Sequence, residues 1–245
     1  MLIFGVHFVF KIPQDAMAGL QNHWTTFTLI FLLTMIITTV SLADKKFKCH
    51  NKIDMVVVLD SSGSVTQKQF KMSKDFVADL VKHFDISKSK ANVAVATYSQ
   101  YAHTGRTFQE HATLDSVLGA IRKLRYEGAA SRLDFGFGLV EFKLFDTQYG
   151  SRPIDSGVKK VAVFITDGYS TRGLEFTSDS AAMLKRKGVE LFSVGISNRI
   201  NKKELDVLAS QPRKTHQLYM TTDLGGNSFT KEQVQNLAKE ICKSK

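Results

Sequence analysis

Two cysteines and three prolines in 245 residues leave this chain few covalent or steric constraints. Two cysteines allow a single bridge. No proline-rich or low-complexity linker interrupts Asp44 to Lys245, so that stretch reads as one unit. No Asn-x-Ser/Thr triplet occurs, and N-glycosylation is not expected. The glycines that follow the apolar runs spell neither a dinucleotide-binding nor a P-loop motif, which argues against nucleotide binding. A comfortable membrane span is missing too, because the apolar run Phe27 to Val40 falls short of the roughly 20 residues required.

What is present is a globular composition, 43% hydrophobic and 23% charged, with length for one well-filled domain. The formal net charge is +10, and Lys11 and Asp15 cancel in the N-terminal stretch, so the excess belongs to the remainder. Such a charge attracts nucleic acid, anionic lipid or sulfated polysaccharide alike and is silent about fold. Phe27 to Val40 is followed by Ser41-Leu42-Ala43, with small residues at both cleavage-type positions, and residues 1–43 read as a signal peptide region. Met17 sits at the usual distance from the run and is the expected start. The competing reading is an uncleaved anchor stretched over Trp24 to Ala43. Secretion places the chain outside the cell, where thiols oxidise. Cys49, just before the first strand pattern, and Cys242, in the last helical one, are expected to pair; two buried free thiols are the alternative.

From Ile53 onward, apolar runs alternate with amphipathic stretches, which predicts an α/β fold with a mostly parallel sheet covered by helices on both faces. Met55 to Leu59, Val93 to Ala96, Val161 to Ile165 and Val189 to Val194 are short, β-branched and apolar, as doubly buried strands must be. Phe70, Val77, Leu80, Val81 and Phe84 share one helical face, and Val234, Leu237, Ala238 and Ile241 share another. His103 to Phe108 follows the second strand too closely for a helical crossover and is expected to pair antiparallel at an edge. The expected sheet is doubly wound and six-stranded, in the order 3-2-1-4-5-6.

The first strand ends in Asp60-Ser61-Ser62-Gly63-Ser64, and the later strand Val161 to Ile165 ends in Thr166-Asp167-Gly168. Loops after the strands that flank an order reversal face each other across a crevice, so Asp60 and Asp167 are expected to meet. Alternation at Asp60, Ser62 and Ser64 turns one carboxylate and two hydroxyls toward one point, and Gly63 permits the tight loop. Carboxylates and hydroxyls without His or Cys describe a site for a hard cation, Mg²⁺ first, with Mn²⁺ or Ca²⁺ as substitutes. The competing reading makes Asp60 and Ser62 caps of the next helix.

The strings "DMVVVLDSSGSV" and "VFITDG" resemble the von Willebrand factor type A family, as do "VAVATYS", "AIRKLRYEGAASRLDFGFGL" and "GVELFSVGIS". The likeness runs from about Ile53 to Cys242, within a domain placed at 44–245. It implies a metal-ion-dependent adhesion site at Asp60, Ser62, Ser64, Ser131 and Asp167. Ser131 stands where the family usually has threonine, and Arg132 beside it either steers an anion or pairs with Asp134 or Asp155. The resemblance further implies that the ion keeps one position for a partner's carboxylate, so that metal bridges two proteins. Catalysis is not expected, because no histidine belongs to the three loops. The resulting expectation is a secreted adhesion or matrix-interaction module that holds an acidic group of an extracellular or cell-surface protein, with collagen-like partners as precedent. Nucleic acid and stable membrane insertion are not expected. Its rivals are a structural matrix component, or a binder of sulfated glycosaminoglycan that uses the basic surface without metal.

Overall fold

A strand buried on both faces has to be apolar on both, and the four central strands meet that condition in their middles, while the polar residues they bury lie mostly toward their ends. In the computed structural model, which describes residues 47–197, 199–220 and 229–243, these are β1 (Ile53–Asp60), β2 (Ala91–Tyr98), β4 (Lys159–Thr166) and β5 (Val189–Gly195). β3 (Ala102–Arg106) and β6 (Gln217–Tyr219) complete a six-stranded sheet in the order β3-β2-β1-β4-β5-β6. Every pairing is parallel except β2 with β3, the expected antiparallel edge. The leader expected over residues 1–43, Met17 included, lies outside the described residues.

The pleat sends alternate side chains to opposite faces and so divides the core in two. Met55, Val57, Leu59, Val93, Val95, Val161 and Val163 pack with α1 (Gln67–Val81), α2 (Leu114–Lys123) and α7 (Lys231–Cys242). Val56, Val58, Ala94, Ala96, Ala162 and Phe164 pack with α3 (Leu133–Leu139), its π-helical extension Val140–Leu144, α4 (Gly173–Arg186) and α5 (Lys202–Leu208). A short α6 (Arg213–His216) leads into β6. Phe70, Val77, Leu80 and Val81 are buried along α1 as their spacing predicts, whereas Phe84 is buried beyond the helix end. The predicted face of α7 is buried residue for residue.

Cys49 and Cys242 are bonded, with their Cα atoms 5.8 Å apart. The backbone of Cys49 is tied to the chain after α1, accepting from Asp85 N–H and donating to His83 O. Asn51 Nδ2 donates to Cys242 O at 2.6 Å, so the bridge and its neighbours join the entry of β1 to the end of α7.

Candidate metal centre

β1 and β4 lie side by side at the order reversal and end at the same pole, which brings the loops after them together. Asp60, the last residue of β1, is buried. Its Oδ1 accepts from Ser62 N–H at 2.9 Å, and its Oδ2 accepts from the Tyr98 hydroxyl at 2.7 Å and the Thr166 hydroxyl at 2.8 Å. A carboxylate has about four lone-pair positions, so three bonds fix Asp60 firmly and leave one. The hydroxyls of Ser62 and Ser64 lie 3.1 Å apart, and the Ser64 hydroxyl also bonds Asp167.

The loop that carries Ser131 is docked on the first loop by backbone bonds: Gly63 N–H to Ala129 O at 2.7 Å, and Gly128 N–H to Ser61 O at 2.8 Å. A Cβ at position 63 would stand 3.0 Å from Gly128 O. Gly63 is therefore required by close approach of two backbones and not, as the sequence suggests, by a tight turn of its own. Ser99 holds the same loop, accepting from Ala129 N–H and donating to Ala130 O. The Ser131 carbonyl accepts from both the N–H and the hydroxyl of Thr171, each at 2.9 Å. The Ser131 Oγ is buried with no hydrogen-bond partner.

Capping does not explain these residues. The N-cap of α1 is Thr66, whose hydroxyl accepts from Gln69 N–H while the Gln69 side chain returns to Thr66 N–H. Arg132 makes a bidentate pair with Asp134, 2.6 Å at its shortest, and lies 4.1 Å over the Phe135 ring. Its charge is thus committed to Asp134 rather than to Asp155.

Burial, and then the negative charge of Asp167, push the Asp60 carboxyl up to about 6. Burial also raises Asp167, against the opposing bonds from Tyr169 N–H and Ser64. Two buried carboxylates that resist ionisation together are an unfavourable arrangement until a cation offsets them. Among the described residues no group of three or more His, Cys, Asp and Glu is placed to hold a metal. The donors here are two carboxylates and three hydroxyls, one of them an orphan, and that set fits a hard cation rather than a soft one.

Three contributors escaped the sequence reading. Tyr98 and Thr166 clamp Asp60 from neighbouring strands; their signal is only a polar residue closing each apolar run. Glu204 of α5 is buried and binds Thr177 Oγ1 at 2.7 Å, Asn201 Nδ2 at 3.1 Å and Ser170 N–H at 3.4 Å. Asn201 N–H in turn donates to Asp167 O at 2.9 Å, so α5 backs the loop that carries Asp167.

A six-stranded sheet in the order 3-2-1-4-5-6, with helices on both faces and an oxygen-lined crevice at its switch point, defines a doubly wound α/β domain. The sequence profile of the von Willebrand factor type A domain matches residues 54–236, and the chain belongs to that family. Human collagen alpha-1(XX) chain is 33% identical over 173 residues, which is 70% of this chain and 13% of the relative. Matrilin-3 of Gallus gallus is 26% identical over 178 residues, 71% of this chain and 38% of the relative. The chain thus spans well under half of each of these relatives. Among solved structures, proximal thread matrix protein 1 from the mussel byssus superposes with a TM-score of 0.66 at 24% identity, covering 80% of this chain and 47% of that one. One structure of that protein has a zinc-occupied MIDAS motif. Manganese-loaded Plasmodium vivax TRAP protein superposes with a TM-score of 0.63 at 16% identity, covering 79% and 74%. At these identities the structures support the fold.

Proposed function

We propose that this is an extracellular matrix-interaction module that binds an acidic group of a protein partner through a divalent cation, Mg²⁺ foremost, held by Asp60, Ser62, Ser64, Ser131 and Asp167. The observation that carries this is the orphaned, buried Ser131 Oγ, on a loop docked against the one that follows Asp60, together with two carboxylates that burial disfavours as anions, Asp60 further so through the charge of Asp167. Bound there, the ion supplies a positive centre to which a partner's carboxylate can attach. The chain's own residues fix the donors: Tyr98 and Thr166 lock Asp60, Thr171 locks the Ser131 backbone, and Glu204 and Asn201 back the Asp167 loop. The collagen and matrilin relatives support matrix partners. The proposed role is binding rather than catalysis; among the described residues no imidazole or thiol bonds any of the five. Among the described residues no helix is long and apolar enough to cross a membrane.

The test is retention of proteins from an extracellular matrix extract on the immobilised chain, in Mg²⁺ and in EDTA. Retention that EDTA abolishes supports the proposal, and identical retention in both refutes it.

Ser131 gives a graded check. Ser131→Ala is expected to weaken Mg²⁺ binding by on the order of tenfold, less than loss of a carboxylate, because a neutral oxygen contributes less. Ser131→Thr is expected to match or exceed the wild type, since the added methyl restricts the hydroxyl rotamer. Calorimetric titration of Mg²⁺ into the three proteins reads the order.

The pH dependence follows from Asp60. Cation binding needs the ionised carboxylate, and without cation this group holds its proton up to about pH 6. Protons therefore compete with Mg²⁺ as pH falls through that value. Apparent affinity should be flat above about pH 7 and decline toward tenfold per unit below about pH 6, as for one competing proton. The same titration repeated across pH measures it.

A further inference from the structure

We propose that the pole of the sheet opposite the candidate metal centre binds a sulfated polysaccharide, by a mode that needs no metal. Four of the five parallel strands enter the sheet from a lysine: Lys52 precedes β1, Lys90 precedes β2, Lys159 opens β4, and Lys187 stands two residues before β5. Their register puts these entries in one row, because Ile53 pairs with both Ala91 and Lys159, and Lys160 pairs with Val189. Neighbouring strands are about 4.8 Å apart, so the row is roughly 15 Å long. Arg152 is anchored in it, with Nη2 donating to Ile53 O at 2.8 Å and Lys90 O at 2.9 Å, and Nη1 donating to Lys88 O at 3.3 Å.

The buried acidic groups at this pole are already engaged, and the exposed Asp155 beside Ile154 is outnumbered by the lysines. Asp54, fully buried, is shared by Lys160 and Arg152, each at 2.7 Å, which leaves the trio one positive charge in excess. Glu190 is flanked by Lys159 and His216, each at 2.7 Å. Lys187 pairs with Glu141 at 2.8 Å yet stays half exposed. Lys52, Lys88 and Lys90 make no ion pair among the described residues, and Lys52 and Lys88 are exposed. A depression of about 600 Å³ opens beside the row, lined by Asn51, Lys52, Ile154, Val158, Lys159 and Gly188.

A row of lysine charges along a groove of sugar size suits a linear polyanion whose charge recurs at short intervals. The exposed apolar side chain in the depression is Ile154, which offers no aromatic platform on which bases could stack, and this favours a sulfated sugar over single-stranded nucleic acid. Asp60 and Asp167 lie at the other pole, so a bound polyanion neither meets their charge nor competes for the cation.

The test measures binding of a heparin oligosaccharide to the full chain at physiological salt, for wild type and three triple variants. Lys52→Ala/Lys88→Ala/Lys90→Ala is expected to weaken binding about tenfold or more and to flatten its salt dependence by about two to three charges, as counterion release predicts. The charge-keeping Lys52→Arg/Lys88→Arg/Lys90→Arg variant should bind like the wild type. Lys68→Ala/Lys123→Ala/Lys203→Ala removes the same charge from exposed sites elsewhere and should change affinity less than about threefold, because screening confines charge effects to about 8 Å. EDTA should leave all four unchanged. The proposal is overturned if the wild type does not bind heparin, if both alanine variants lose affinity equally, if EDTA abolishes binding, or if the lysine pole captures phosphatidylserine vesicles and not heparin.

Discussion

Asp167→Ala should abolish Mg²⁺-dependent retention of an acidic partner, by roughly 100-fold or more, while leaving the fold intact; Asp60→Ala should do the same. The reason is electrostatic. Each carboxylate is buried, and Asp60 is raised to about 6 by burial and by Asp167, so the pair attracts a cation with two charges that solvent screens poorly. Removing one takes away about half of that attraction and a ligand oxygen with it. Asp167→Ala is the cleaner variant, since it forfeits bonds from Tyr169 N–H and Ser64 at a partly solvated loop. Asp60→Ala also strands the Tyr98 and Thr166 hydroxyls in the interior, and part of its effect will appear as lost stability. Surface plasmon resonance against the Mg²⁺-dependent partner, with circular dichroism to confirm the fold, separates the two contributions.

The largest effect on stability is expected from Cys49→Ala/Cys242→Ala. The bridge closes a loop with a sequence separation of 193, for which chain entropy gives an upper figure of about 5 kcal/mol. For a domain of this size that corresponds to a melting point lower by at most roughly 10–20 °C. Cys49 is buried among residues of the α1 and α7 core, so the substitution also leaves a small void. The bridge sits at the entry of β1 and the candidate centre at its exit. Mg²⁺ affinity of the folded variant should therefore equal that of the wild type. Urea unfolding of the two proteins under oxidising conditions checks the first expectation, and calorimetry checks the second.

Much of this architecture was legible because parallel strands leave a plain signature. Val56 to Leu59 and Val161 to Ile165 are apolar on both faces, and the polar residues that end them mark the crevice. The strands nevertheless run farther than hydropathy indicates. β1 begins at Ile53 and β4 at Lys159 because Asp54 and Lys160 neutralise each other inside the sheet, a pairing that no one-dimensional pattern reveals. β6 had no assigned residues: Gln217–Tyr219 is three residues long and only half buried, too short for a periodicity. The π-helical turn at Val140–Leu144 was equally invisible, because its side chains follow a helical pattern either way. At the candidate centre, the residues in Asp-x-Ser-x-Ser and Thr-Asp-Gly could be placed from sequence, and Ser131 only through the family resemblance. Tyr98 and Glu204 could not, since each acts from an element distant in the chain.

The most direct measurement is anomalous diffraction from a crystal of the domain soaked in Mn²⁺. One strong peak is expected at the β1–β4 crevice, within ligand distance of the Ser62, Ser64 and Ser131 hydroxyls, and it should be lost from crystals of Asp167→Ala. A wild-type crystal with no peak there, or with the same peak in Asp167→Ala, would contradict the proposed cation site.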